Sequence, residues 1–293
     1  MKILITGSSG LIGTFILNLL SQDHDCIPTD LSNPKSPIDI TQFDQVSSHF
    51  AQYRPDVVLH LAAYTDVTKA WEQANDVSGL CYRLNVTATE SIAQLSAEYG
   101  AHLIHMSTAY IFDGENPTPY TESHTPNPIE WYGKTKALAE EAIQSTADLQ
   151  WTILRIDKPF SIAEPSRPDF LLSKIVGLTD GSLYPQFVDH FSGPTIIEEL
   201  AELVAWLVTQ PQSGILHAST GEQWSDYAFA EAVAEIFQTK TQPKHGSLLE
   251  YLKKSNRPYQ KNTALSTAKL SQLYPKKTLS VREALVLAAK SRV

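Results

Sequence analysis

The chain opens with a strand that breaks into a glycine turn and then a helix, and this feature narrows the fold more than any other. Ile3–Thr6 is an apolar, strand-like run, Thr6-Gly7-Ser8-Ser9-Gly10-Leu11-Ile12-Gly13 follows, and Leu11–Leu20 carries helical periodicity. The glycines have separate tasks. Gly7 admits the tight turn, Gly10 lets backbone N–H groups approach a pyrophosphate, and Gly13 lets helix and strand pack closely. A helix begun here presents unpaired N–H groups and the positive end of its dipole. Gly7, Ser9, Gly10, Leu11, Ile12 and Gly13 are therefore candidate dinucleotide-binding residues.

Such a turn belongs to a βαβ unit, and the next residues supply more of them. Strand-like runs at Cys26–Thr29, Val57–Leu61, His102–Met106 and Thr152–Leu154 alternate with helix-like segments at Phe43–Tyr53, Leu84–Tyr99 and Tyr132–Ala147. Strand–helix alternation at this spacing predicts an α/β fold, a Rossmann-like doubly wound parallel sheet with helices on both faces. After Ile156 the texture changes, with Pro159, Pro165, Pro168, Pro185 and Pro194 among short elements. A helix over Ile196–Thr209, a strand over Gly214–Ala218 and a helix capped by Ser225 follow; the last places Phe229, Val233, Ile236 and Phe237 on one face. The expected division is an NAD(P)-binding domain over 1–156, its core extending into parts of the C-terminal half, and a mainly substrate-binding small lobe over 157–293.

Composition removes several function classes. The net charge is −9 and no Lys/Arg cluster occurs in the first two hundred residues, which argues against nucleic acid. The mildly basic Lys253–Lys261 reads as a solvated loop. No apolar run reaches bilayer length, and the strand-like start has no signal-peptide pattern before it. Cys26 and Cys81 have neither metal nor redox spacing, so reduced thiols in a cytoplasmic protein are expected. His60, His102 and His105 lie on predicted strands without metal-ligand spacing and read as core or strand-end residues; no metal is expected.

Asp30 ends the second strand, where a carboxylate accepts hydrogen bonds from the adenosine ribose and repels a 2′-phosphate. It favours NADH slightly over NADPH, and Lys35 nearby softens that preference. Asp39-Ile40 meets the adenine edge or caps the next helix. Tyr132 is the one tyrosine of twelve with a lysine four residues on, Lys136. On a helix that spacing puts phenol and ammonium on one face. A carbonyl reduced by hydride must gain a proton, and an adjacent ammonium stabilises the phenolate left behind. The same lysine can hold the nicotinamide ribose. The strand His102–Met106 runs into Ser107-Thr108, whose hydroxyls can bind the reacting oxygen.

Taken in this order, the residues resemble the extended short-chain dehydrogenase/reductases, and within them the dTDP-4-dehydrorhamnose reductase branch. The likeness rests on Thr6–Gly13, Ala62-Ala63-Tyr64-Thr65, Asn85, Ser107-Thr108-Ala109-Tyr110-Ile111-Phe112-Asp113-Gly114, Tyr132–Lys136, Arg155, Gly193-Pro194-Thr195 and Arg257-Pro258. It implies NAD(P)H-dependent reduction of a nucleotide-activated 4-keto-6-deoxy sugar. It also implies that Ala62, Ala63 and Tyr64 line the cofactor, and that Thr108, Tyr132 and Lys136 form the reactive group. Three places depart from the branch: Ala109 where an Asp is usual, Asp157-Lys158 where Ser-Trp is usual, and extra residues around Gln73–Leu80. Two other readings remain. One is an epimerase or dehydratase that recycles NAD, although a dehydratase usually needs an acid where Ala109 stands. The other is a cofactor-bound regulatory subunit, resembling the β subunit of methionine adenosyltransferase. The expected partners are a small nucleotide-sugar and, through an apolar helix face, a second copy of the chain in a homodimer.

Overall fold

The computed structural model describes residues 1–33 and 37–292, so Lys35 lies outside the described residues. Six strands form one parallel sheet: β1 (Lys2–Thr6), β2 (Asp25–Thr29), β3 (Val57–His60), β4 (His102–Thr108), β5 (Trp151–Ile156) and β6 (Gly214–His217). Their spatial order is β6-β5-β4-β3-β1-β2. From β1 the chain moves outward to β2, then returns to place β3 on the other flank of β1. The winding therefore reverses between β1 and β3, and open α/β sheets hold ligands at the carboxyl ends of the strands at such a point.

The register explains why the strands read as continuous apolar runs. Leu4 lies opposite Ile27 on one side and Val58 on the other, and Val58 lies opposite Leu103. That buried row forms one face of the sheet. It is covered by Val46 and Phe50 of α2 (Phe43–Tyr53) and by Ile92, Ala93 and Leu95 of α3 (Ala88–Tyr99). On the other face Ile3, Ile5, Leu59 and Ile104 are buried as well. A sheet covered on both sides has no solvated face, so alternation is absent from its sequence. α1 (Leu11–Leu20) follows the glycine turn and α4 (Trp131–Ser145) precedes β5. The predicted helix over Leu84–Tyr99 begins inside a π turn (Arg83–Thr87), which follows a short α turn (Leu80–Tyr82), and continues as α3. The predicted strand His102–Met106 runs on to Thr108, because its last two residues stay within the ladder.

The chain separates into two compact units. The first comprises Met1–Ile111, Glu130–Arg155 and Ala201–Leu216, and it holds the sheet; its last segment supplies β6. The second comprises Phe112–Ile129, Ile156–Leu200 and the residues from His217 onward. It has its own core, in which Phe160, Leu171, Leu178, Phe229, Val233, Val281 and Leu285 are buried together. Three of its helices begin at side-chain caps. Asp169 accepts from Leu172 N, Ser225 accepts from Ala228 N, and Ser280 forms a capping box with Glu283.

Candidate active site

At the end of β1 the backbone of Gly7 takes φ +71°, and a Cβ there would lie 2.6 Å from Ala62 N. A Cβ on Gly13 would lie 2.2 Å from Gly7 O. The turn is thus closed too tightly for any side chain at either position. Gly10 caps α1 without a side-chain hydrogen bond. The first N–H groups of that helix, at Leu11, Ile12 and Gly13, have no intrahelical acceptor and suit an anion. This cradle, shaped by two missing side chains, fits a pyrophosphate. The Asp30 carboxylate sits over the same turn, accepting from Ser9 N at 3.4 Å and from Ser32 N and Oγ at 3.0 and 2.8 Å. Asp39 accepts from Thr41 N and Oγ1 at 2.9 and 2.7 Å. Ile40 is buried with Ile38 and Val46 in the sheet core, so its side chain is spent on packing. Ala62 N donates to Thr6 Oγ1 at 3.3 Å and Tyr64 N donates to Asn85 Oδ1 at 2.7 Å, which holds the Ala62-Ala63-Tyr64 segment at the end of β3.

The candidate reactive residues converge at the end of β4. α4 starts at Glu130, whose carboxylate accepts from Tyr132 N at 2.8 Å and Gly133 N at 2.6 Å. A Cβ on Gly133 would meet Tyr110 O at 2.1 Å, so this helix start is pressed against the turn that follows Thr108. The Thr108 hydroxyl lies near enough to the buried Tyr132 phenol to influence its proton, and its Oγ1 accepts from Tyr110 N at 3.2 Å. Burial raises the phenol above its ordinary range; Thr108 opposes the rise, while Glu130 and Cys81 add to it. Lys136, 2% exposed, donates to His105 Nε2 at 2.8 Å and to Met106 O at 2.7 Å. Burial pulls its ammonium down to about 7 against the opposing influence of Glu140 and Cys81.

Two expectations change here. Lys136 was expected to lower the phenol's pKa, but its ammonium faces β4 and burial governs the phenol. Ser107 was expected beside the reacting oxygen, but its hydroxyl donates to Glu140 Oε1 at 2.5 Å. Arg155 Nε and Nη2 donate to the same carboxylate at 3.0 and 2.6 Å, so Ser107 belongs to a buried lock between β4, α4 and β5.

Asn85 lies in the π turn, a deformation that often marks functional positions. Besides accepting from Tyr64 N, it donates to Thr135 Oγ1 at 2.9 Å, and Thr135 donates to Tyr132 O at 2.8 Å. The extra segment around Gln73–Leu80 is tied to the same place: Gln73 Nε2 donates to Tyr64 OH at 3.1 Å and its Oε1 accepts from Cys81 N at 3.0 Å. Sequence reasoning took His105 for a core or strand-end residue and left Glu140 unremarked. Their signal was a matched spacing. His105 and Ser107 share one face of a strand, and Lys136 and Glu140 share one face of a helix.

The second unit holds a buried ionic cluster. Lys158 meets Asp226 at 2.6 Å, and His190 Nδ1 meets the other Asp226 oxygen at 3.0 Å. Asp157 accepts from Gly193 N at 3.0 Å and Thr263 Oγ1 at 2.7 Å, and burial pushes its carboxyl up to about 6. Asp189 caps the turn at Leu248, accepting from its N–H at 2.6 Å. Among the described residues no group of three or more His, Cys, Asp or Glu is placed to hold a metal ion, and no helix is long and apolar enough to cross a membrane.

Comparison with known proteins adds a family. Residues 1–292 match the family described as RmlD substrate binding domain. The spore coat polysaccharide biosynthesis protein SpsK of Bacillus subtilis is 30% identical, over 88% of this chain and 87% of that protein. Methionine adenosyltransferase 2 subunit beta of Rattus norvegicus is 28% identical, over 80% of this chain and 72% of that one. A dTDP-4-dehydrorhamnose reductase from Clostridium acetobutylicum superposes with a TM-score of 0.88 at 27% identity, covering 99% of both chains. One from Bacillus anthracis, in complex with NADP, shares the fold with a TM-score of 0.87 at 24% identity, covering 97% of this chain and 96% of that one.

Proposed function

Starting from the fact that the chain belongs to the RmlD substrate-binding domain family, we propose that it is an NAD(P)H-dependent reductase of a nucleotide-activated 4-keto-6-deoxy sugar. The observation that carries this reading is the meeting of the Thr108 hydroxyl, the Tyr132 phenol and the Lys136 helix face at the end of β4. The glycine cradle stands at the end of β1 in the same sheet.

The nicotinamide supplies hydride when bound. Everything else falls to the chain's own residues. The backbone N–H groups of the turn hold the pyrophosphate, and Asp30 accepts from the adenosine ribose. Its negative charge opposes a 2′-phosphate, so NADH is preferred over NADPH. Thr108 orients the sugar's carbonyl oxygen by donating a hydrogen bond. Tyr132 gives that oxygen its proton as alkoxide character develops. A phenol kept protonated by burial is in the acid form that reduction needs. Lys136 holds the nicotinamide ribose.

The methyl group of Ala109 offers no acid beside Thr108, which weighs against a dehydratase. The likeness to a methionine adenosyltransferase β subunit favours a second reading, a cofactor-bound regulatory subunit. Free Cys26 and Cys81 suit a cytoplasmic location, and the homodimer remains part of this proposal, to be read by sedimentation.

The test is a panel of 4-keto-6-deoxy sugar nucleotides with NADH and NADPH, followed by absorbance and product analysis. Turnover with NADH on a panel member is the expected result. Cofactor binding without turnover on any member would overturn the reductase reading in favour of the regulatory one.

A further inference from the structure

Lys136 is buried, and the groups around it come from several elements. Tyr132 and Glu140 lie on its own helix and Glu130 caps that helix; His105 comes from β4, His60 from β3, and Cys81 from the turn before Asn85. An ammonium has three N–H donors and no acceptor. Two of the three are accounted for, at His105 Nε2 and Met106 O. While Lys136 is charged it can only donate, so Nε2 of His105 is then the lone-pair nitrogen and its proton sits on Nδ1.

The neighbouring histidine does not disturb this assignment. Thr89 Oγ1 donates to Asn85 O at 2.8 Å, so it can only accept from His60 Nε2 at 2.9 Å. His60 Nδ1 then accepts from Thr6 Oγ1 at 2.8 Å. His60 is neutral with its proton committed to Thr89, and its ring lies 5.0 Å from that of His105. His105 itself is 1% exposed, and its Nδ1 has no partner among the described residues. A buried N–H left unmatched is costly, and a residue chosen for packing alone would not need it. Its presence makes sense if the requirement is the lone pair on the opposite nitrogen.

We infer that His105 is a positioning residue for Lys136: its neutral imidazole takes one ammonium N–H, the Met106 carbonyl takes a second, and the third is left aimed at the nicotinamide ribose. The destination of the third N–H rests on the reductase reading; the His105–Lys136 bond does not. Neutral His105 also stabilises the charged lysine, since a hydrogen bond to the charged form favours that form. Such bonds are worth roughly 1–2 pH units in the titration of the charged partner.

The experiment uses the full-length apoprotein with ¹⁵N-labelled lysine and histidine, followed by NMR across pH, with Lys136→Met to assign the signal. In the wild type, His105 is expected as the Nδ1–H tautomer at the pH values where Lys136 is charged, below about 7. In His105→Leu the Lys136 titration is expected to fall by roughly 1–2 pH units. His105→Gln, whose carbonyl oxygen can accept the same bond, is expected to restore it to within about half a unit. An Nε2–H or doubly protonated His105 in the wild type while Lys136 is charged, or an unchanged Lys136 titration in His105→Leu, overturns the inference; the wild-type tautomer decides even if the leucine variant does not fold. As a second readout, kcat in His105→Leu should lose its alkaline limb at correspondingly lower pH. An enzyme inactive on every sugar nucleotide but with the expected tautomer and titration would sink the reductase reading and leave His105 in place.

Discussion

Replacing Lys136 with Met should reverse its effect on stability as the pH rises. Burial takes the ammonium from 10.5 to about 7 in the folded chain, a drop of about 3.5 pH units, or on the order of 5 kcal/mol at 1.36 kcal/mol per unit. The folded state carries that cost at pH values below 7, where lysine is charged in both states. Between about 7 and 10.5 the unfolded chain binds the proton and the folded chain does not, so stability rises with pH, at up to about 1.4 kcal/mol per unit. Methionine removes the cost but leaves His105 Nε2 and the Met106 carbonyl without a donor, at about 1–3 kcal/mol each. At pH 6 the variant should therefore lie between about 1 kcal/mol less and about 3 kcal/mol more stable than the wild type. Near pH 10 it should be less stable by about 1–5 kcal/mol. Burial raises the Cys81 thiol, so it stays protonated over most of this window and largely cancels from the comparison. Urea unfolding of both apoproteins from pH 6 to 9.5 gives the difference directly. A difference that stays flat between pH 7 and 9 would refute the claim that the folded chain holds this ammonium desolvated.

Other substitutions test other parts of the account. Gly133→Ala drives a methyl group into the Tyr110 carbonyl, which is backbone and cannot rotate away; a loss of about 2–3 kcal/mol in urea unfolding is expected, and an unperturbed midpoint would show that the helix start has room. Asp226→Asn leaves Lys158 charged and almost buried in the second unit, and should cost about 3–5 kcal/mol; full stability would mean that the pair contributes nothing. Asp30→Ser removes the charge facing a 2′-phosphate and should lower the NADH-to-NADPH ratio of kcat/KM by about tenfold or more; an unchanged ratio would place the selectivity elsewhere.

The sheet and the glycine turn were legible because both are local. Gly7, Gly10 and Gly13 lie within seven residues of one another, and the apolar runs that become β1 to β5 need no partner to be recognised. That Tyr132 and Lys136 share one helix was legible for the same reason, the two being four residues apart. The direction of the Lys136 side chain was not, because it depends on His105, thirty-one positions away. Ser107 misled for a related reason. A hydroxyl beside a reactive threonine suggests chemistry, and only the folded chain brings Glu140 and Arg155 within reach of it. The π turn at Asn85 also escaped, since one extra residue per turn leaves almost no mark on apolar periodicity. Likewise Phe112–Ile129 falls in the second unit although it lies between β4 and α4 in sequence, an excursion that a division by sequence position does not reveal.

The central claim is that Tyr132 delivers the proton in reduction while other residues hold the cofactor. The most direct measurement compares Tyr132→Phe with the wild type in NADH oxidation on the accepted sugar nucleotide, alongside NADH affinity by fluorescence titration. The account predicts a fall in kcat of roughly 10²–10⁴-fold with nearly unchanged NADH affinity. A phenylalanine variant that turns over within a few-fold of the wild type would contradict it, because the proton would then have to come from another group.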